Sequence, residues 1–128
     1  MGTGTLILIM YTYKAKLNRI IDGDTLDAEI DLGFGVFVKQ RIRLYGIATP
    51  DAHSSDSEIK QAANDAKQRL TEIMSREFKV ITILNKRGKL GRTLGMIYVQ
   101  DENGAEVCVN DLMVAEGHAT AYSTGKEE

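Results

Sequence analysis

Ile20-Ile21-Asp22-Gly23-Asp24-Thr25 opens, and Arg41-Ile42-Arg43-Leu44-Tyr45-Gly46-Ile47-Ala48-Thr49-Pro50-Asp51 closes, the stretch whose reading decides the fold. The opening piece sets two carboxylates either side of a glycine, where a strand must bend. In the closing piece Arg41, Arg43 and Tyr45 alternate with Ile42, Leu44 and Gly46, so a strand here has one basic and one apolar face. The alternation breaks at Thr49-Pro50, because proline fixes φ and has no N–H for a sheet ladder. An acidic turn, a basic strand and a second acidic turn in one hairpin-sized unit have the chemistry of a cation plus a phosphate. An ordinary hairpin with solvated charges fits this segment alone equally well.

Outward from that stretch, Thr25 to Leu32 alternates as a half-buried strand, and Gly33-Phe34-Gly35 supplies the hairpin turn into a returning strand from Val36 to Ile47. Tyr11 to Arg19 carries Tyr11, Tyr13, Ala15 and Leu17 on one face and completes a meander. After the polar loop from Pro50, the spacing of Ile59, Ala62, Ala63, Ala66, Leu70, Ile73 and Met74 predicts a helix over Ser57–Met74. Asp56 or Ser57 is its N-cap. Phe78–Leu84 and Arg92–Gln100 read as strands around a glycine- and lysine-rich loop, Asn85–Gly91. Asp101-Glu102-Asn103-Gly104 is a hairpin-turn signal, and Val109–Glu116 is a short helix stopped by Gly117. Three meander strands, a helix, two strands and a second helix define a β-barrel with helices (α+β), a five-stranded OB-fold barrel. Residues 11–122 form this domain, with 1–10 as a leader or extra edge strand and 123–128 as a polar tail.

At 128 residues the chain makes one domain with a real core. A net charge of −2 argues against a general polyanion binder, so any affinity for nucleic acid must be local. Lys39, Arg41 and Arg43 form one basic cluster, and Lys86, Arg87, Lys89 and Arg92 another; each also reads as a solvated face. The one cysteine, Cys108, lies between two valines as a buried, inert thiol and makes no internal disulfide. The apolar run Leu6–Met10 is too short to span a membrane and lacks the basic flank of a signal peptide. A cytoplasmic setting follows by default.

Four motifs in order resemble the staphylococcal nuclease (thermonuclease) family. They are Asp22-Gly23-Asp24-Thr25, then Arg43-Leu44 with Ile47 and Thr49-Pro50-Asp51, then Gly91-Arg92 with Leu94-Gly95 and Ile97-Tyr98, then Val109-Asn110 with Leu112 and Gly117. The resemblance covers residues 12 to 122 and implies an OB-type barrel that hydrolyses DNA and RNA phosphodiesters with calcium. It implies metal ligands at Asp24, at position 48 and at the Thr49 carbonyl. Asp22 and Asp27 lie near enough in the chain to support such a site, with Asp27 alternating onto the Thr25 face. The resemblance further implies that Asp51 holds the attacking water and that Arg43 and Arg92 bind the phosphate. Lys86, Arg87 and Lys89, as local cations in an acidic protein, are expected to track the nucleic-acid backbone.

Two positions depart from that pattern. Ala48 has no side-chain ligand, and Asp51 is one methylene shorter than the expected glutamate. The family's usual third helix is expected to be absent or cut short. Two functions follow: a metal-dependent nuclease of little sequence specificity, or a non-catalytic nucleic-acid- or protein-binding module of the same fold. Asp24 also reads as a simple turn former. His53 reads as a solvated loop residue and His118 as a cap or packing group. Tyr45, Tyr98 and Tyr122 could stack bases or belong to the barrel.

Overall fold

Alternating burial builds the first three strands of the structure, a computed structural model that describes residues 11–83 and 93–122. Strands β1 (Thr12–Asp22), β2 (Thr25–Gly33) and β3 (Val36–Leu44) form an antiparallel meander. Leu26, Ala28 and Ile30 of β2 are buried, and Thr25, Asp27, Glu29 and Asp31 between them face outward. There follow β4 (Ile47–Ala48), α1 (Ser57–Ile73), β5 (Glu77–Ile83), β6 (Thr93–Gln100), β7 (Glu106–Cys108), α2 (Val109–Ala115) and β8 (Thr120–Ala121).

The strand order is β3-β2-β1-β5-β6-β7, and β3 also pairs with β6 in parallel through Ile42↔Thr93, Arg43↔Leu94 and Leu44↔Gly95. That pairing closes a five-stranded mixed barrel with two helices, the architecture expected from the sequence. Closure leaves no room for a side chain at Gly95, where a Cβ would come within 2.7 Å of Val80 Cγ2 and 3.3 Å of Ile42 Cγ2. The core runs through Leu26, Ile42, Leu44, Val80 and Ile97 and continues to Val109 and Met113 of α2.

Asp56 caps α1, its carboxylate accepting from the Glu58 N–H at 2.8 Å and the Ile59 N–H at 3.3 Å. The helix buries Ala63, Ala66 and Leu70, with Met74 just past its end. Ile59 and Ala62 depart from the helical spacing argument: both are exposed. The buried residues begin a turn later at Ala63, so the helix's first turn contributes little to the core. Arg69 joins α1 to the end of α2 by a two-pronged pair with Glu116, at 2.5 and 2.8 Å. Those hydrogen bonds hold the Glu116 carboxyl below its ordinary range.

Three further details correct the sequence reading. The returning strand does not run through to Ile47. It turns at Tyr45–Gly46, where Gly46 takes a φ of 81°, and resumes as β4. The Asp101–Gly104 hairpin turn returns the chain as a short strand, β7, paired with β6, and a second short strand that no sequence signal marked, β8, pairs with β4 through Ile47↔Ala121 and Ala48↔Thr120. Cys108 is half-buried and not fully so, and burial pushes its thiol up, which keeps it inert at neutral pH. Leu84, Arg92 and the leader, loop and tail expected at 1–10, 85–91 and 123–128 lie outside the described residues.

The outer face of the meander carries a ladder of charge. Asp27 lies between Arg19 and Arg41, Glu29 between Lys16 and Lys39, and Asp31 between Lys14 and Phe37. Arg41 approaches Asp27 at 2.8 Å and 3.2 Å, and with Arg19 it lowers the Asp27 carboxyl's pKa. Such exposed pairs set side-chain direction more than stability.

Leu70 is fully buried in α1 against the barrel. Leu70→Ala is expected to destabilise the fold by about 2–5 kcal/mol, read from urea unfolding. A loss below about 1 kcal/mol would mean that α1 does not belong to the core.

Candidate functional site

The Asp22–Thr25 turn comes to its place because α1 presses on it. A Cβ at Gly23 would lie 2.7 Å from Ala66 Cβ, 3.3 Å from the Ala66 carbonyl carbon and 3.2 Å from Thr49 Cγ2. Glycine is needed here for close approach, so the turn, Thr49 and the middle of α1 meet at one corner. The sheet register brings the basic strand to the same corner: Thr25 pairs with Arg43, and the Leu44 N–H donates to the Asp24 carbonyl at 2.8 Å.

Asp24 and Arg43 therefore face each other. The Asp24 side chain is 13% exposed and that of Arg43 35%, with Arg43 Nη2 3.7 Å from Asp24 Oδ2. The other Asp24 oxygen accepts from the Thr25 hydroxyl at 3.0 Å. Hydroxyl and guanidinium together fix the carboxylate, and the carboxylate in turn orients the guanidinium. Arg43 Nε is buried and has no hydrogen-bond partner among the described residues. A buried N–H donor without an acceptor is costly, about 1–3 kcal/mol, and a guanidinium is chemically suited to an anionic acceptor.

Asn110 positions this corner from behind. It is buried in the first turn of α2, and its amide nitrogen donates to the Tyr45 carbonyl at 2.9 Å and to the Gly95 carbonyl at 3.1 Å. Its amide oxygen accepts from the Ile97 N–H at 3.0 Å. Sequence reasoning placed Asn110 in a family motif without giving it a task. Its signal is an amide just inside a helix start, next to a buried valine.

The other expected site residues divide. Thr49 lies against Gly23, as described, and Asp22 at the end of β1 is half-buried beside the same turn. Ala48 sits on β4, held to Thr120 of β8. Asp51 is exposed, and its Oδ1 accepts from the His53 N–H at 2.8 Å, which commits it to its own loop. The His118 backbone N–H donates to the Met113 carbonyl in the turn that ends α2. Arg92, Lys86, Arg87 and Lys89 lie outside the described residues.

A calcium ion takes six to eight oxygens, several of them carboxylate. The donors here do not fit that demand. Asp24 has one oxygen held by Thr25 and the other facing Arg43, Ala48 offers no side-chain oxygen, and Asp51 is engaged with His53. Among the described residues no group of three or more His, Cys, Asp and Glu could hold a metal ion. What the corner can do as it stands is receive an anion on an oriented arginine.

A family model described as staphylococcal nuclease homologue matches residues 41–128. No curated protein matches the chain. The matched span begins at Arg41, so the Asp22–Thr25 turn joins the site through register and packing and not through that match.

Gly23→Ala places a methyl against Ala66, whose own Cβ cannot swing away. The variant is expected to lose about 1–3 kcal/mol of stability by overpacking and to shift Asp24 relative to Arg43. Thermal unfolding and a crystal structure of the variant check both; an unaltered melting temperature would contradict the close packing of turn and helix.

Proposed function

Because the chain belongs to the staphylococcal nuclease family, we propose that it binds the phosphodiester backbone of nucleic acid at the corner formed by Asp24 and Arg43. The observation that carries this reading is the buried Arg43 Nε–H, which has no acceptor among the described residues. A phosphate oxygen would satisfy that donor, and the planar guanidinium offers a second N–H beside it for a two-pronged contact that a lysine could not make. Asp24 and Thr25 hold the guanidinium in place before the ligand arrives, so little side-chain freedom is lost on binding. Contacts to phosphate carry no base information, which makes the binding indifferent to sequence. In a protein of net charge −2 it rests on a few local cations and falls as salt rises.

Metal-dependent hydrolysis of the same backbone is the second reading, and Asp24 favours it. A nearly buried carboxylate beside a phosphate repels the anion unless a cation lies between them. Ala48 and the engaged Asp51 leave the donor set short of what such a cation needs, so this reading entails weak metal binding and low activity. Thr49 and Asp22 would be its remaining supports, with Asp51 as the water-holding group.

Arg43→Ala is expected to weaken binding of a labelled oligonucleotide by about tenfold or more, the worth of a charge-assisted hydrogen bond. Unchanged affinity would overturn the phosphate reading. Ala48→Asp separates the two readings. If the site descends from a working nuclease, calorimetric calcium titration and a supercoiled-plasmid assay both gain signal, and Asp51→Glu adds to it non-additively because both groups act on one centre. If neither measurement gains, the chain is a binding module.

A further inference from the structure

The tip of the β2–β3 hairpin is apolar and exposed. Leu32, Phe34, Val36 and Phe37 are all exposed, Phe34 fully so. Phe34 also takes a φ of 56°, between Gly33 at 88° and Gly35 at 73°. A bulky side chain in the left-handed region is a backbone outlier, and asparagine or glycine would be favoured there. Nothing in the fold is served by this phenylalanine, which has no packing to offset the strain.

The hairpin is continuous with the Asp24–Arg43 corner. On the outer face of β3, Phe37, Lys39, Arg41 and Arg43 follow one another two residues apart, a repeat of about 6.6–6.8 Å. Phe37 thus lies about 20 Å along the strand from Arg43. The ladder across β1, β2 and β3 sets six cations against four carboxylates, an excess of positive charge in an acidic protein. Beside Phe37 opens a groove of about 1150 Å³, lined in part by Lys14, Lys79 and Tyr98, with Lys79 5.3 Å from the Tyr98 ring centre. That groove carries more carboxylates than cations in its lining, which suits an uncharged base better than a phosphate.

We infer that the hairpin tip is a base-stacking subsite for a single-stranded nucleic acid whose backbone leaves Arg43 and follows β3. The inference rests on the phosphate-binding reading above and names the strandedness and path of that ligand. A cationic track with aromatic platforms is the general means of holding single strands, because every base has a π-face and a duplex hides it. The span from Arg43 to Phe34 suits a ligand within the range of about 4–16 nucleotides held by barrels of this kind. Charge decides the occupant: the excess of cations runs from the apolar tip to Arg43, which complements a polyanion and offers nothing to a membrane of neutral lipid.

Fluorescence anisotropy with a labelled twelve-residue oligothymidylate, and with a duplex of equal length, tests this on the full chain. The wild type is expected to prefer the single strand. Phe34→Asn combined with Phe37→Ala should weaken the single strand by about tenfold and leave the slope of affinity against salt unaltered, since stacking releases no counterions. Phe34→Asn relieves the left-handed strain, so its melting temperature should not fall, which keeps loss of binding separate from loss of fold. If the double variant binds as tightly as wild type while Arg43→Ala weakens binding, the stacking subsite is overturned and the phosphate reading stands. If the wild type binds neither probe at low salt, both fall. If the double variant instead loses self-association or binding to phosphatidylcholine vesicles, with oligothymidylate affinity intact, the tip serves another partner and the inference is wrong.

Discussion

Asn110 brings one acceptor and two donors into a place closed to water, and the region where the barrel shuts depends on all three. The Ile97 N–H, the Gly95 carbonyl and the Tyr45 carbonyl converge on its amide. Gly95 lies on the strand that pairs with the end of β3, and Tyr45 is the residue where β3 turns into β4. The amide thereby holds α2, β6 and the β3–β4 turn in one rigid arrangement. Its orientation is fixed by the partners, because a reversed amide would aim oxygen at two carbonyls. No apolar residue can fill this position without leaving buried backbone groups unpaired.

From that closure the rest of the corner follows. Leu44 enters the core, Arg43 faces out beside Thr25, and the turn that holds Asp24 is pressed into place by Ala66. The pair at 3.7 Å is loose for a salt bridge. A tighter pair would spend the guanidinium on Asp24, whereas this geometry orients Arg43 while its Nε–H meets no acceptor among the described residues. Partial burial strengthens that attraction by lowering the local dielectric, and it makes the unfilled donor more costly in the ligand-free state. Stability and binding thus pull against each other at one atom.

Much of this was legible in the sequence. The alternation of β2, the spacing of Ala63, Ala66 and Leu70, and the Asp56 cap each follow from local rules, and five strands with an intervening helix point to the barrel. The β3–β4 break was not, because the apolar alternation runs on through Tyr45–Gly46 and only the left-handed glycine marks the turn. Strands β7 and β8 are three and two residues long, defined by their partners and not by their own pattern. Ile59 has helical spacing but lies a turn ahead of the core, which periodicity cannot register. Gly23 reads as a turn glycine, while its real constraint is the approach of a helix more than forty positions along the chain. The facing of Asp24 and Arg43 is likewise a matter of strand register, set by contacts far apart in sequence.

Phosphate binding at this corner turns on the Arg43 Nε–H. Nitrogen-15 NMR of the arginine Nε–Hε groups reports on it directly, using the dinucleotide thymidylyl-thymidine as the smallest phosphodiester. On titration the Arg43 Nε–Hε resonance should move and its exchange with water should slow, as a free donor acquires a charged acceptor. The exposed Arg19, already paired with Asp27 through its own Nε, should change little. An Arg43 resonance that stays in place while the dinucleotide demonstrably binds would put the phosphate elsewhere and contradict the account.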